Sequence, residues 1–370
     1  MSISITKKIT GYAVASPNGD IPAAGSFQSA ADRRLHLKEV PKSLTAALVW
    51  DKRPGTTQGN PSWTYLVKSP NWCFAMVVGH LEEDGVCTPF EVWVMGEAPR
   101  GLAALAKSLS MDLRTRDRAW LRKKLDSLAK CPGDPFDMTM PSGILVRMPS
   151  EVAAFARLLT LRCEELGVFD EKGATPLIDA LMSKREPKTT TDGTLSWTVD
   201  IANPVTGDDL TLFLKEAELP ETGQRRPFSV WLAGNYPRQM DGLCKAISLD
   251  LRVMDPAWAL KKLTQLEDNL EPMGGFMAQV PGSEKSRWYP STVAYIATLI
   301  KHRFMVLGLS DALGAPVGKS SLKVVESIHA KGTPVAEQPK GELCGECGSF
   351  SVVKMDGCPT CLTCSWSKCQ

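Results

Sequence analysis

Forty residues from Pro89, PFEVWVMGEAPRGLAALAKSLSMDLRTRDRAWLRKKLDSL, align without a gap to forty from Pro227, PFSVWLAGNYPRQMDGLCKAISLDLRVMDPAWALKKLTQL, and 20 of the 40 positions are identical. Two segments so alike must adopt the same local structure, which limits the folds open to this chain. WTYLVKSP (63–70) is echoed by WTVDIANP (197–204), and EVAAFARLLTLRCEELGVF (151–169) loosely by STVAYIATLIKHRFMVLGLS (291–310). The offset of 138 residues, from Pro89 to Pro227, is too long for a solenoid repeat. A duplicated domain is expected, with copies over 44–182 and 195–310.

Each copy carries the same signals in the same order. A run rich in Trp, Val and Thr precedes PF-x-VW with alternating apolar residues, and both read as strands. Pro99 and Pro237 follow, where a helix can begin. Leu102, Leu105, Ala106, Leu109 and Leu113 then keep helical spacing, as do Trp120, Leu121, Leu125 and Leu128. Strands followed by helices predict an α+β class, with helices packed on one face of an antiparallel sheet. Trp93 and Trp231 should hold equivalent strand positions, and Trp120 and Trp258 equivalent helical ones.

Outside the copies, MSISITKKITGYAV (1–14) alternates polar and apolar residues and reads as an N-terminal strand, not as a signal-peptide core. Residues 15–43, rich in Ala, Ser, Pro and Gly, read as a linker, and the polar stretch 183–194, SKREPKTTTDGT, joins the copies. Residues 311–343 read as a flexible linker of roughly 30 residues, with an r.m.s. span of about 30 Å.

Residues 344–370 hold six of the eleven cysteines: Cys344, Cys347, Cys358, Cys361, Cys364 and Cys369. No apolar run is long enough to span a bilayer, so a cytoplasmic location is expected. Thiols are kept reduced there, and a cysteine cluster points to metal or redox chemistry before structural disulfides. Two C-x-x-C hooks make a tetrahedral zinc site, because each short turn sets two thiolates at the required separation. Here the hooks overlap: Cys344/Cys347, Cys358/Cys361 and Cys361/Cys364. Zinc on Cys344, Cys347, Cys358 and Cys361 leaves Cys364 and Cys369; with Cys361/Cys364 as the second hook, Cys358 and Cys369 remain. The first solution is preferred for its remainder. Cys364-Ser-Trp-Ser-Lys-Cys369 can close to disulfide geometry, and Lys368 favours the attacking thiolate. A purely structural ribbon with two spare thiols is the alternative.

Other signals are weaker. A formal net charge of +2 gives no overall field that selects nucleic acid or membrane. GAPVGKSS (314–321) has three residues between its glycines where a phosphate-binding loop has four. Arg114, Arg118, Arg122 and Lys123 fall near one helical face and read as a solvated surface. The four histidines form no paired motif, and Cys73, Cys87, Cys131, Cys163 and Cys244 read as buried inert thiols.

The tail resembles the cysteine-rich C-terminus of adenosylcobalamin-dependent (class II) ribonucleotide reductases: MDGCPTCLTCSWSKC fits their pattern G-C-x-x-C-x-x-C-G-x-S-K-C, with Ser365 in place of the usual Gly. The repeats resemble the TSCPD domain that precedes such tails, through RPGTTQG (53–59), PFEVWV and the helical run to KKL. The whole chain is similar to the separate small subunit of split class II reductases, although that subunit usually carries one TSCPD copy. The resemblance implies an accessory subunit of a ribonucleoside-diphosphate reductase. It would dock on a catalytic subunit, which holds the radical site and the adenosylcobalamin. Zinc would organise the tail, and Cys364 and Cys369 would relay electrons from a thioredoxin- or glutaredoxin-like donor. Membrane and direct nucleic-acid binding are not expected. The alternative is a non-enzymatic zinc-ribbon regulator or assembly module that binds protein or nucleic acid. It has thin support from Lys354, Lys368, Phe350 and Trp366.

Overall fold

The computed structural model describes residues 44–310, apart from 51, 56, 84, 171–172, 183–190, 192 and 219–222, together with 342–343, 350–355 and 358–361. The expected N-terminal strand (1–14), the linker 15–43 and most of 183–194 and 311–343 lie outside the described residues. The architecture is mixed α+β, built from small antiparallel sheets.

β1 (Ser62–Lys68), β2 (Cys73–Glu83) and β3 (Val86–Glu97) form a three-stranded meander, followed by α1 (Leu102–Leu113) and α2 (Arg118–Leu128). A hairpin, β4 (Phe136–Thr139) and β5 (Leu145–Met148), leads into α3 (Glu151–Glu165). After the one-turn α4 (Pro176–Asp179) the same order returns. β6 (Ser196–Asn203), β7 (Asp208–Glu218) and β8 (Arg225–Asn235) form a meander, and α5 (Met240–Leu251) and α6 (Pro256–Glu267) follow. The short hairpin β9 (Phe276–Ala278) and β10 (Arg287–Tyr289) precedes α7 (Thr292–Val306).

Local chemistry explains these boundaries. α1 and α5 begin three residues beyond Pro99 and Pro237, whose carbonyls accept from Leu102 N–H and Met240 N–H in a preceding turn. Asp117 and Asp255 cap α2 and α6 by accepting from Trp120 N–H and Ala257 N–H, and Ser150 and Ser291 cap α3 and α7. Each cap satisfies an N–H that the first turn leaves without a partner. Gly96 and Gly234 end β3 and β8 at φ 89° and 113°, where a Cβ on Gly234 would meet the Asp209 carbonyl oxygen at 2.5 Å. Trp93 sits opposite Val77 in the first sheet as Trp231 sits opposite Phe213 in the second.

Each meander buries one face under its helices. Phe74, Met76, Val78 and Val92 pack with Leu105, Leu109, Leu125 and Phe155. Leu212, Leu214 and Val230 pack with Ile247, Leu263, Ile296 and Ile300. The edge strands are tied to helices by matching serines: Val92 N–H donates to Ser110 Oγ (3.0 Å) and Val230 N–H to Ser248 Oγ (2.9 Å). A third core joins the halves. In it Met111 and Trp120 meet Leu249, Val253 and Trp258, flanked by Leu44 and Leu48 around the 3-10 turn Leu44–Ala47 and by Leu177 and Leu181 around α4.

The basic stretch around α2 is not a solvated face. Arg114 is buried and donates to the Phe90 carbonyl, and Arg118 caps the Leu113 and Thr115 carbonyls. Arg122 is half-buried and pairs with Glu164 at 2.5 Å, and Arg116, between the helices, is exposed. A one-dimensional helical face missed this because α1 and α2 are separate helices.

Candidate functional site

The cysteine segment forms its own small sheet. β11 (Glu342–Leu343) pairs with β12 (Phe350–Met355), which pairs with β13 (Cys358–Cys361); Cys358 lies opposite Met355 and Cys361 opposite Val352. Cys358 and Cys361 therefore bound one strand. Cys344, Cys347, Cys364 and Cys369 lie outside the described residues. A set of thiolate donors suits Zn2+ and excludes hard cations that need oxygen.

The five cysteines of the body offer no second site. Burial pushes the Cys131 thiol up, lifts Cys163 to about 12 and raises Cys244 further. These three are inert by solvation. Cys87 is partly exposed and Cys73 is exposed, so the expectation of burial fails at Cys73, which opens β2 on the outer face of the sheet. Among the described residues no group of three or more His, Cys, Asp or Glu side chains is arranged to hold a metal.

What the sequence reading missed is a buried charge quartet between the halves: Asp112 and Lys124 from the first, Asp250 and Lys262 from the second. All four are 0–2% exposed. Lys124 Nζ lies 2.7 Å from both Asp250 oxygens and 3.0 Å from Asp112 Oδ2, and Lys262 Nζ lies 2.5 Å from Asp112 Oδ2 and 3.4 Å from Asp250 Oδ1. Each lysine is thus nearest the other half's aspartate. Each aspartate also accepts from its own half's indole, Asp112 from Trp120 Nε1 (2.8 Å) and Asp250 from Trp258 Nε1 (2.7 Å). The two indoles meet edge to face at 6.4 Å.

Burial pushes the Asp112 carboxyl up, but Lys124 and Lys262 outweigh it and hold the group below its ordinary value. Burial lowers Lys262 to about 8 against the pull of Asp112 and Asp250. The charges sum to zero, which is the condition for burying them at all. The signal was in the repeat: the Asp of SMDLR and SLDLR and the second Lys of both KKL motifs are identical. Spacing alone does not say which lysine of each KKL faces a partner.

Comparison with protein-family models, with curated proteins and with solved structures gives no match to this chain. Among the described residues no helix is long and apolar enough to cross a membrane.

Proposed function

We propose that the chain is the accessory subunit of a cobalamin-dependent ribonucleoside-diphosphate reductase, and that its body is two TSCPD-like copies fused into an internal pair. The observation that carries the reading is the concentration of six cysteines in 344–370, in the order of the reductase tail and around a three-stranded antiparallel sheet. The crossed quartet supports the internal pair. A residue of one half meets the partner residue of the other and the reverse, as at a two-fold interface.

On this reading Cys344, Cys347, Cys358 and Cys361 hold zinc, which supplies a fixed fold for a short segment with little core of its own. Cys364 and Cys369 form the exchanging pair. One thiolate attacks the oxidised disulfide of the catalytic subunit and forms a mixed disulfide. The second thiol then displaces it, leaving the catalytic pair as two thiols and the tail as a Cys364–Cys369 disulfide. A thioredoxin- or glutaredoxin-like dithiol takes that disulfide back to thiols, so two electrons pass at each step. The adenosylcobalamin and the radical chemistry belong to the catalytic chain.

The first half offers a surface for docking. On the outer face of its sheet Leu66, Trp93 and Met95 stand half or more exposed, with Leu66 and Met95 flanking Ala75. The matching row of the second sheet is Asp200, Thr211 and Ala233, with Thr211 donating to Asp200.

The test is Cys369→Ser in a complex with the candidate catalytic subunit. Zinc content, fold and binding should be unchanged and one turnover of a pre-reduced catalytic subunit should survive, while sustained turnover with a protein reductant is lost. Unchanged sustained turnover in both Cys364→Ser and Cys369→Ser would sink the relay. Zinc retained in Cys358→Ser but lost in Cys364→Ser would move the second hook to Cys361/Cys364.

A further inference from the structure

The second half holds a cavity of about 490 Å³, walled by the β9–β10 hairpin, the end of α6, the later turns of α7 and Ser310. Two residues of that wall are out of keeping with a core position. Tyr289 and Ser310 are 6% and 4% exposed, and their hydroxyls meet no hydrogen-bond partner among the described residues. A hydroxyl that gives up water without a replacement partner works against the fold. The first half avoids that cost. When the capping serines Ser150 and Ser291 are aligned, Met148 stands at the place of Tyr289 and Phe169 at that of Ser310. Met148 is buried opposite Phe136, as Tyr289 lies opposite Phe276, and Phe169 packs against the first core. The second half has thus exchanged two apolar side chains for two unused donors beside one cavity.

The charge around these donors is positive. Lys285, Arg287 and Lys301 line the cavity against one carboxylate, Glu267. That carboxylate is engaged, since Lys301 holds it at 2.6 Å and Thr298 donates to it at 3.3 Å. Lys285 and Arg287 are exposed and have no ion-pair partner among the described residues. Glu284, beside Lys285 in the chain, does not line the cavity. Where Arg287 stands the first half has Val146. Burial raises the Tyr289 phenol and the nearby charge of Arg287 opposes it, so the hydroxyl keeps its proton near neutral pH and can donate it. Burial, and then Arg303, lowers His302, which adds no charge there.

We propose that this cavity binds a small phosphomonoester, whose phosphoryl oxygens accept from Tyr289, Ser310, Arg287 and Lys285. A tetrahedral oxyanion can engage hydroxyls and cations at once, and a guanidinium takes two of its oxygens side by side. A planar carboxylate offers two oxygens to these four donor groups. The volume leaves room beside the phosphate for an ester group of a few carbons. A nucleobase finds no open ring of Tyr, Phe or Trp to stack on. The one such ring in the wall, Tyr289, is already packed on Tyr295 and Phe276, at 4.7 and 6.3 Å between centroids. The inference goes beyond the reductase reading and stands on this cavity alone.

Titration calorimetry of the full chain in about 0.15 M salt, with glycerol phosphate, inorganic phosphate, malonate and AMP as probes, tests the proposal. Both glycerol phosphate and inorganic phosphate should bind, malonate more weakly than either, and AMP no tighter than glycerol phosphate. Lys285→Gln with Arg287→Gln should weaken glycerol phosphate by about tenfold or more, the loss expected for charged hydrogen bonds. Tyr289→Phe and Ser310→Ala should each weaken it several-fold and leave the melting temperature level or higher, because each removes a buried hydroxyl that has no partner in the free protein. Arg147→Gln, on the matching hairpin of the first half, should leave binding unchanged. No phosphate binding, full affinity in both hydroxyl variants, malonate as tight as the phosphates, or AMP tighter than glycerol phosphate would each overturn the assignment. A lower melting temperature in both hydroxyl variants would mean that the hydroxyls serve the fold, and would overturn it too.

Discussion

In the first half Arg162 of α3 lies over Trp63, 4.7 Å from its centroid, and donates through Nε to the Nε2 of buried His80 at 3.2 Å. In the second half Arg303 of α7 lies over Trp197 at 5.4 Å and grips the buried carboxylate of Glu216 at 2.5 and 3.1 Å. His80 and Glu216 hold matching places, each just past an irregularity in the central strand and opposite Pro89 or Pro227. The arginine and the tryptophan are kept, and the acceptor has changed from a neutral ring to an anion. The two halves share a scaffold in which the hydrogen bond at this corner matters more than the charge that makes it. The quartet is the reverse case, since there both halves keep the same charged residues, each needing the other half's counter-charge.

The largest expected effect follows from the quartet. Lys124→Met removes an ammonium with three contacts of 3.0 Å or less to the two aspartates and leaves a buried carboxylate excess, which costs about 3–5 kcal/mol. Lys262→Met should cost less, because Lys262 makes one close contact, to Asp112, and lies 3.4 Å from Asp250. Urea unfolding of the two variants measures the difference, and equal losses would mean that the lysines are interchangeable. Lys124→Met combined with Asp250→Leu restores neutrality, and its loss should fall short of the sum of the single losses by about 1–3 kcal/mol.

The corner arginines come next. Arg303→Ala removes the close partner of buried Glu216, leaving Arg225 at 3.9 Å, and should cost about 2–4 kcal/mol, whereas Arg162→Ala leaves a neutral ring and the partly exposed Glu165 and should cost about 1 kcal/mol. The same corner separates the halves by pH. Burial, and then the charge of Arg162, lowers His80 from 6.5 to about 4. The unfolded chain therefore binds the extra proton first. The stability held by neutral His80 is complete above pH 6.5 and is lost as the pH falls toward 4. The loss is at most about 3 kcal/mol. His80→Gln should flatten the stability profile in that window, and an unchanged slope would place the acid sensitivity elsewhere.

How much of this the sequence made legible differs by element. The meanders and the long helices showed in period and in repeated motifs, because apolar residues at those positions face one core. The hairpins β4–β5 and β9–β10 were missed: their strands are three or four residues long, too short for alternation to register. The Leu44–Ala47 turn and α4 were missed because a single turn has no period. The quartet was visible only as identical letters, since its burial depends on two segments 138 residues apart closing on each other. Of the cysteine site, the spacing was legible in the sequence and the short strand bounded by Cys358 and Cys361 was not, while Cys344, Cys347, Cys364 and Cys369 lie outside the described residues.

The smallest effect tests whether the halves can exchange solutions. At the end of α1 the Leu113 and Thr115 carbonyls accept from Arg118 at 3.1 and 2.9 Å. At the matching end of α5 the Leu251 and Val253 carbonyls accept from Arg226 at 3.3 and 2.9 Å, and Arg226 also reaches Met254. The two arginines come from different places. Arg118 opens α2, where the second half has Pro256, and Arg226 lies in β8, where the first half has Thr88. Burial lowers the Arg226 guanidinium to about 10, with Asp255 opposing, so the cap is held at a solvation cost that the carbonyl bonds must offset. Arg226→Thr should cost about 2 kcal/mol by leaving helix-end carbonyls without a donor. Adding Pro256→Arg places a guanidinium where Arg118 stands in the first half and should recover about half of that loss. Recovery would show that the two helix ends are equivalent sites with alternative caps. No recovery would mean that α6 sets its first turn differently from α2, which is where Asp255 and Asp117 already cap different N–H groups.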